Sequence, residues 1–124
     1  MPQYLALIYG PDFDALDGVP DFDPKEMAEY DEFGEAGRAA GVIEGGNALQ
    51  STSTATTVSV VGGKGGEVIT VDGPFAETKE VLGGYYLLTC KDLDEALSWA
   101  AQIPAAWRGG KIEVRPVVDF DAAG

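Results

Sequence analysis

The sequence predicts an α+β fold: a ferredoxin-like βαββαβ sandwich with an inserted β-hairpin. Apolar runs typical of strands alternate with two amphipathic helical segments in the order β-α-β-(β,β)-β-α-β. Each helical segment has one apolar face, so both helices can cover the same face of a sheet. The chain has 124 residues, 45% of them apolar, which suits one domain over residues 1–124 with a real core.

The first half of the chain opens with a strand and a helix. Tyr4–Tyr9 is a short apolar run that ends at Gly10-Pro11, which predicts a buried strand, and Asp12–Val19 is acidic and predicted as a loop. The helix is expected to begin at Asp23-Pro24, because aspartate caps helices and proline suits the first turn. Gly41 is the expected C-terminal cap.

This first helix carries an apolar stripe that is interrupted by glycines. Gly34 and Gly37 either permit close packing on a sheet or fray the helix. The residues predicted to face the core are Met27, Tyr30, Phe33, Gly37 and Ala40.

Strand and turn signals follow. Ser51–Thr57 is rich in serine and threonine and predicts a strand edge or a bend. The glycines of Gly62–Gly66 lie between two alternating runs and predict a hairpin turn. The segments that contain the predicted strands are Val42–Gln50, Thr57–Val61, Glu67–Val71 and Tyr85–Thr89.

The second helix begins after a clear capping signal. Asp92 is the predicted cap, Glu95 follows three residues later, and Pro104 ends the segment. Trp99 is expected either to cover an edge of the core or to meet a second subunit. The predicted buried stripe is Leu93, Ala96, Leu97, Ala100 and Ile103.

The last strand is predicted over Lys111–Val118. Its alternation places Ile112 and Val114 on one face, with Glu113 and Arg115 on the other. Pro116 favours an edge position or the end of the strand, because proline cannot donate to a strand ladder.

The composition excludes several classes of function. The formal net charge is −13, so the chain repels phosphate backbones and anionic membranes, and we expect no nucleic-acid or membrane partner. Ten carboxylates lie between Asp12 and Glu35 against one base, Lys25. This 12–35 segment is either a solvated face or a docking surface for a basic regulatory protein.

The absence of histidine excludes further chemistry. Without histidine there is no Ser-His-Asp triad and no Cys-His pair, and ordinary zinc sites lack ligands. Carboxylates alone could still hold Mg²⁺ or Ca²⁺, but no EF-hand spacing is present, so we expect no metal site and no cofactor. The single cysteine, Cys90, ends an apolar run and is predicted to be a small buried hydrophobe. No signal peptide or membrane-spanning run is recognisable, so a cytoplasmic location is the expectation.

One long motif gives the sequence a family resemblance. The segments VDGPFAETKEVLGGYYLLTCKDLDEALSWAAQIP and KIEVRPVVDF resemble the DGPF subgroup of the YCII-related family. The segments YLALIYG, DPKEMAEYDEFGEAGRAAGVI and STATTV fit the resemblance as well, so it covers nearly the whole chain.

The resemblance implies a dimeric α/β barrel of ferredoxin-like subunits, with a cleft near the subunit interface. Some YCII-like proteins carry a His-Asp pair proposed as an acid/base site, but only its aspartate has a counterpart here, Asp72. Members of the subgroup also resemble proteins encoded beside, or fused to, sigma factors of the extracytoplasmic-function class. A regulatory role is therefore an expectation of the resemblance.

Asp72 has two interpretations that oppose each other. In the structural one, Asp72 accepts backbone N–H groups and caps a turn in which Pro74 presets φ and Phe75 fills a core or an interface. In the catalytic one, Asp72 is a general acid or base, which needs its pKa raised by about three units. Backbone N–H bonds would lower that pKa instead.

The sequence is compatible with two functions, besides a purely structural dimer that binds no ligand. The first is a small-ligand-binding or regulatory module that forms a homodimer with a cleft at its interface. The alternative is an enzyme acting on a small organic substrate with Asp72 as general acid/base. Arg115 could hold an anionic ligand, or pair across strands with a neighbour such as Glu67. The predicted ligand-binding residues are Tyr4, Pro74, Phe75, Tyr85 and Arg115.

Overall fold

The computed structural model of the protein describes residues 1–11, 24–76 and 78–123. The predicted loop Asp12–Val19 and the predicted cap Asp23 lie outside these residues. The described elements are β1 (Gln3–Pro11), α1 (Pro24–Ala39), β2 (Ile43–Ala48), β3 (Thr56–Val61), β4 (Glu67–Asp72), β5 (Glu80–Thr89), α2 (Leu93–Ala100), β6 (Lys111–Pro116) and α3 (Phe120–Ala123). Short 3₁₀ turns occupy Thr52–Thr54 and Pro104–Trp107.

Four strands form one antiparallel sheet in the order β2-β5-β1-β6. Together with α1 and α2 this sheet makes an α+β structure that is compatible with the predicted ferredoxin-like fold. Strand β6 lies at a sheet edge, as Pro116 predicted. Strand β5 begins at Glu80, well before the predicted Tyr85, because Glu80 and its neighbours continue to pair with the end of β1.

The core lies between one face of the sheet and the two longer helices. Tyr4, Ala6 and Leu88 point to the same side, since Tyr4 lies opposite Leu88 in the ladder. Phe33 of α1 packs against them, and its ring meets Tyr86 edge-on with centroids 5.0 Å apart. Cys90 is fully buried, as predicted. The other core residues are Val42, Ala96 and Ile103.

Helix α1 ends as its sequence predicted and approaches the sheet through a glycine. Gly41 has a positive φ of 71°, its N–H donates to the Arg38 carbonyl, and the Val42 N–H donates to the Gly37 carbonyl. These bonds satisfy the last carbonyls of the helix. A Cβ on Gly37 would lie 2.2 Å from Cδ1 of Ile43, so this glycine permits close packing on β2.

Two residues of the predicted α1 stripe do not reach the core. Met27 is 47% exposed and Ala40 is exposed. Met27 borders a cavity instead of packed side chains, and Ala40 lies beyond the last helical residue. The stripe of α1 is therefore shorter than its periodicity predicted.

Helix α2 is capped as predicted but buries a different face. The Asp92 carboxylate accepts the Glu95 N–H at 2.9 Å. Ala96 and Ala100 are buried, whereas Leu93 and Leu97 are 45% and 47% exposed, which corrects the predicted stripe. Trp99 packs against the core with its ring 6.3 Å from Phe33, so it covers an edge of the core. The small alanines allow this helix to lie close to the sheet, and Trp99 packs against the core beside them.

Strands β3 and β4 pair with each other in a separate two-stranded sheet. Gly62, Gly63 and Gly65 between them have positive φ, which the turn requires. The predicted bend at Ser51–Thr57 is a 3₁₀ turn at Thr52–Thr54 that leads into β3. This pair leaves valines exposed on both faces, including Val58 at 63% and Val71 at 57%.

None of the helices in the described ranges has the length and apolar character that a bilayer crossing requires.

Candidate functional site

A cavity of about 600 Å³ lies at one end of the four-stranded sheet. It forms where the last residues of β1 and β2 and the first half of β5 meet the beginning of α1. The segment that follows α2 closes another side through Ala105, Arg108 and Gly110. A volume of this size suits a small organic molecule.

Two glycines within neighbouring strands contribute to the cavity. Gly46 on β2 and Gly84 on β5 both line it. A Cβ on Gly46 would lie 2.6 Å from the Tyr85 carbonyl oxygen, and one on Gly84 would lie 2.9 Å from the Asn47 carbonyl oxygen. Glycine therefore allows the strands to approach each other here and leaves space above the sheet.

Two tyrosines form the inner wall of the cavity. Burial, with help from the charges of Tyr86 and Glu26, raises the pKa of Tyr30 to about 12; a backbone hydrogen bond with Ala105 and the charge of Arg108 act in the opposite direction. Burial likewise raises the pKa of Tyr86, although the positive charge of Arg38 opposes it. Both phenols therefore remain protonated at neutral pH and can donate hydrogen bonds.

The two arginines at the cavity differ in their partners. Arg108 is held by Glu29, whose Oε1 accepts from Nε at 2.9 Å and lies 2.8 Å from Nη2, and it approaches Glu26 at 4.0 Å. Arg38 has no hydrogen bond or ion pair with any residue in the described ranges. Its guanidinium lies over Gly34, where a Cβ would come within 2.7 Å of Nη1.

A structured turn forms part of the rim. Ser51 is buried, its carbonyl accepts from the Thr54 hydroxyl at 2.7 Å, and its Oγ lies 2.5 Å from the Ser53 Oγ. Thr52 and Gln50 line the cavity beside it. The rim therefore presents polar groups on a rigid backbone.

Of the predicted ligand-binding residues, Tyr85 is the one that lines this cavity. Its hydroxyl accepts a hydrogen bond from the Asn47 amide at 2.8 Å. Tyr4 is buried in the core, and Phe75 is 90% exposed beside the exposed Pro74. Arg115 pairs with Glu113 on its own strand at 2.8 Å rather than with Glu67, because β4 belongs to the other sheet.

Asp72 lies at the exposed end of β4 and is not among the residues that line the cavity. The turn after it is held by Gly73, whose N–H donates to the Ala55 carbonyl at 2.7 Å and whose carbonyl accepts from the Thr57 hydroxyl at 2.9 Å. No described residue donates a hydrogen bond to the Asp72 carboxylate. Within the described residues, Asp72 therefore neither accepts the predicted capping bonds nor borders the cavity.

Sequence reasoning missed the residues of α1 that face the cavity. Met27, Tyr30 and Arg38 line the cavity, and together with Gly34 they recur at spacings of three or four along one side of the helix. A glycine four residues before an arginine is the signal that could have identified them. In the residues that the structure describes, no three cysteine, aspartate or glutamate side chains cluster to hold a metal ion.

The fold and the cavity describe a small α+β domain with a pocket at one end of its sheet. The chain belongs to the YCII-related domain family, whose model matches residues 8–121. A segment of 53 residues is 55% identical to part of an uncharacterised protein from Rhizobium meliloti (strain 1021). That similarity covers 42% of this chain and 43% of the relative, so the chain matches less than half of the relative's length.

Proposed function

We propose that the protein is a binding or regulatory module that takes a small organic ligand into the cavity at the end of the sheet. The observation that carries this proposal is the chemistry of the walls. Protonated Tyr30 and Tyr86, the Arg38 guanidinium and the apolar side chain of Met27 surround a space of about 600 Å³. Such a mixture of apolar walls and a few polar groups is typical of small-molecule sites.

A cavity-filling variant tests this proposal. Met27→Trp places a larger side chain at the cavity wall, and Leu97→Trp is the matched control, because both residues are 47% exposed on helices and Leu97 does not line the cavity. We expect small neutral probes such as benzamide to shift the backbone amide NMR signals of cavity residues in the wild type and in Leu97→Trp. Met27→Trp should lose most of these shifts. A wild type that shows no shifts at the cavity would refute the proposal.

The enzyme alternative has less support. Asp72 does not line the cavity, and the carboxylate of Glu26, which does line it, lies 4.0 Å from Arg108. A general base needs a substrate within hydrogen-bond reach. Asp72 is not among the residues that surround the cavity proposed to hold the ligand.

The proposed module is a homodimer in which two sheets shield each other as a dimeric α/β barrel. Helices α1 and α2 cover one sheet face, while Leu5, Leu7 and Leu87 lie half-buried on the other. Tyr9 and Tyr85 are on that second face by alternation and also line the cavity. A second subunit on this face would therefore border the cavity.

The DGPF motif and a regulatory partner complete the proposal. Asp72-Gly73-Pro74-Phe75 supports placement in the DGPF subgroup, and through that resemblance a cytoplasmic role beside a sigma factor. Co-purification of the chain with a sigma factor encoded beside its gene tests the partner. Recovery of the chain without that factor, under conditions in which the factor is present, would contradict this part of the proposal alone.

A further inference from the structure

We infer that the ligand of the cavity is an organic anion, such as a carboxylate with an apolar body, held by the guanidinium of Arg38. This inference rests on the proposed binding function and names the class of ligand. It follows from the pairing of charges, from the placement of Arg38, and from the arrangement of donors and apolar walls.

Arg38 differs from Arg108, the other arginine at the cavity, in how its charge is paired. The chain has 21 acidic and 8 basic side chains, so a cation has many carboxylates available to it. Arg108, at the same cavity, takes Glu29 as its partner. Arg38 takes none among the described residues, and its guanidinium remains available to a ligand.

The placement of Arg38 depends on Gly34. Arg38 lies on the last turn of α1, and its side chain folds back over the preceding turn. The space for Nη1 is the space that a Cβ at position 34 would occupy, since the two would be 2.7 Å apart. The glycine therefore leaves room for the guanidinium, which lines the cavity and interacts electrostatically with Tyr86.

The cavity lining combines hydrogen-bond donors with apolar side chains. The Arg38 fork and the protonated Tyr86 hydroxyl supply N–H and O–H donors that match the oxygens of a carboxylate. Ile8, Met27 and Val81 supply apolar surface for the rest of the ligand. A neutral ligand would leave the Arg38 charge unmatched.

The net charge of the chain determines the salt concentration at which anion binding should be measured. A charge of −13 repels anions at long range, but at 0.15 M ionic strength the Debye length is about 8 Å and distant carboxylates are largely screened. A contact with Arg38 is shorter than this length. Binding should therefore be measured at this salt concentration.

The experiment compares benzoate with benzamide, which have the same shape but differ in charge. Titrations followed by backbone amide NMR should give benzoate an affinity about tenfold or more above that of benzamide in the wild type. Arg38→Gln should remove this preference, so that benzoate and benzamide bind with similar affinities. Lys91→Gln, with the same change of charge at an exposed position away from the cavity, should keep the preference.

A second variant separates the placement of Arg38 from its charge. Gly34→Ala retains the guanidinium but displaces it, so benzoate affinity should fall severalfold with no change for benzamide. Equal affinities for the two probes in the wild type, or a preference that survives Arg38→Gln, would overturn the inference and leave the binding function intact. Failure of both probes to bind the cavity would reject the binding function itself.

Discussion

At the residue scale, the buried phenol of Tyr30 makes the stability of the protein depend on alkaline pH. Burial raises its pKa from 10.0 to about 12, so the unfolded chain loses this proton at a lower pH than the folded chain does. The contribution of the neutral phenol is fully present below pH 10 and is lost as the pH rises towards 12. Two units correspond to about 2.7 kcal/mol, and the partial exposure of Tyr30 reduces this to about 1–2 kcal/mol.

The measurement is urea unfolding between pH 9 and pH 12. We expect the free energy of unfolding of the wild type to fall by about 1–2 kcal/mol more than that of Tyr30→Phe, which cannot ionise at this position. Phenolate absorbance should also show that the variant lacks a tyrosine that titrates late. The same loss of stability with pH in both proteins would contradict the burial of this hydroxyl.

Individual residues also show where sequence reasoning succeeds. Asp92 and Gly41 were identified because helix ends depend on local chemistry: a side-chain oxygen for free N–H groups, and a positive φ after the last turn. The environments of Asp72 and Arg38 were not identified. Each environment is formed by segments that are distant in the chain. The spacing of nearby residues does not show which distant segment packs against them.

At the scale of elements, replacing two glycines of α1 by alanine should change the free energy of unfolding in opposite directions. At Gly34 the added Cβ would meet the flexible end of Arg38, which can move, so the better helix propensity of alanine should add about 0.5–1 kcal/mol. At Gly37 the Cβ would lie 2.2 Å from Cδ1 and 2.5 Å from Cγ1 of Ile43. A β-branched side chain on a paired strand has little freedom to move, and overpacking costs about 1–3 kcal/mol.

Each variant serves as the control for the other, because both replace a glycine in the same helix. Urea unfolding should give Gly34→Ala a higher free energy of unfolding than the wild type, and Gly37→Ala a lower one. If Gly37→Ala were as stable as Gly34→Ala, α1 would not approach β2 as closely as the structure has it.

Periodicity predicted which segments are helices better than it predicted which faces they bury. In α2, Leu93 and Leu97 have the hydrophobicity of core residues, but Ala96 and Ala100 take the core positions. Close approach of a helix to a sheet favours small residues at the contact, and hydrophobicity alone does not express this preference. In β3 and β4, alternation predicted the pairing, but it could not show that both faces remain exposed.

At the scale of the whole molecule, the order of the elements was enough to predict an α+β structure compatible with a ferredoxin-like fold. The order of strands and helices restricts the ways in which two amphipathic helices can cover one sheet. The cavity could not be predicted in this way, because its walls come from segments as distant as Ile8 and Gly110. The absence of side chains at Gly46 and Gly84 is visible in the sequence, but its consequence depends on their neighbours in space.

The open face of the sheet leads to a prediction about the assembly. Leu7 lies near the middle of β1, opposite Tyr85 on one side and Glu113 on the other. Leu7→Lys would place a cation beside Glu113, which favours the cross-strand pair, so the subunit should remain folded. In a dimer that buries this face, the lysine and its charge would have to be desolvated at an apolar interface, so association should weaken severely.

Native mass spectrometry and light scattering test this prediction. The wild type should have twice the mass of one 13.0 kDa chain, and Leu7→Lys should be a monomer with an unchanged circular dichroism spectrum. Val118→Lys is the control, because Val118 is 65% exposed beyond the end of β6 and should leave the dimer intact. Two subunits that each carry −13 repel each other, so salt should tighten an association driven by apolar contact. A wild type that stays monomeric in high salt, or a Leu7→Lys variant that still dimerises, would show that this sheet face is not the subunit interface.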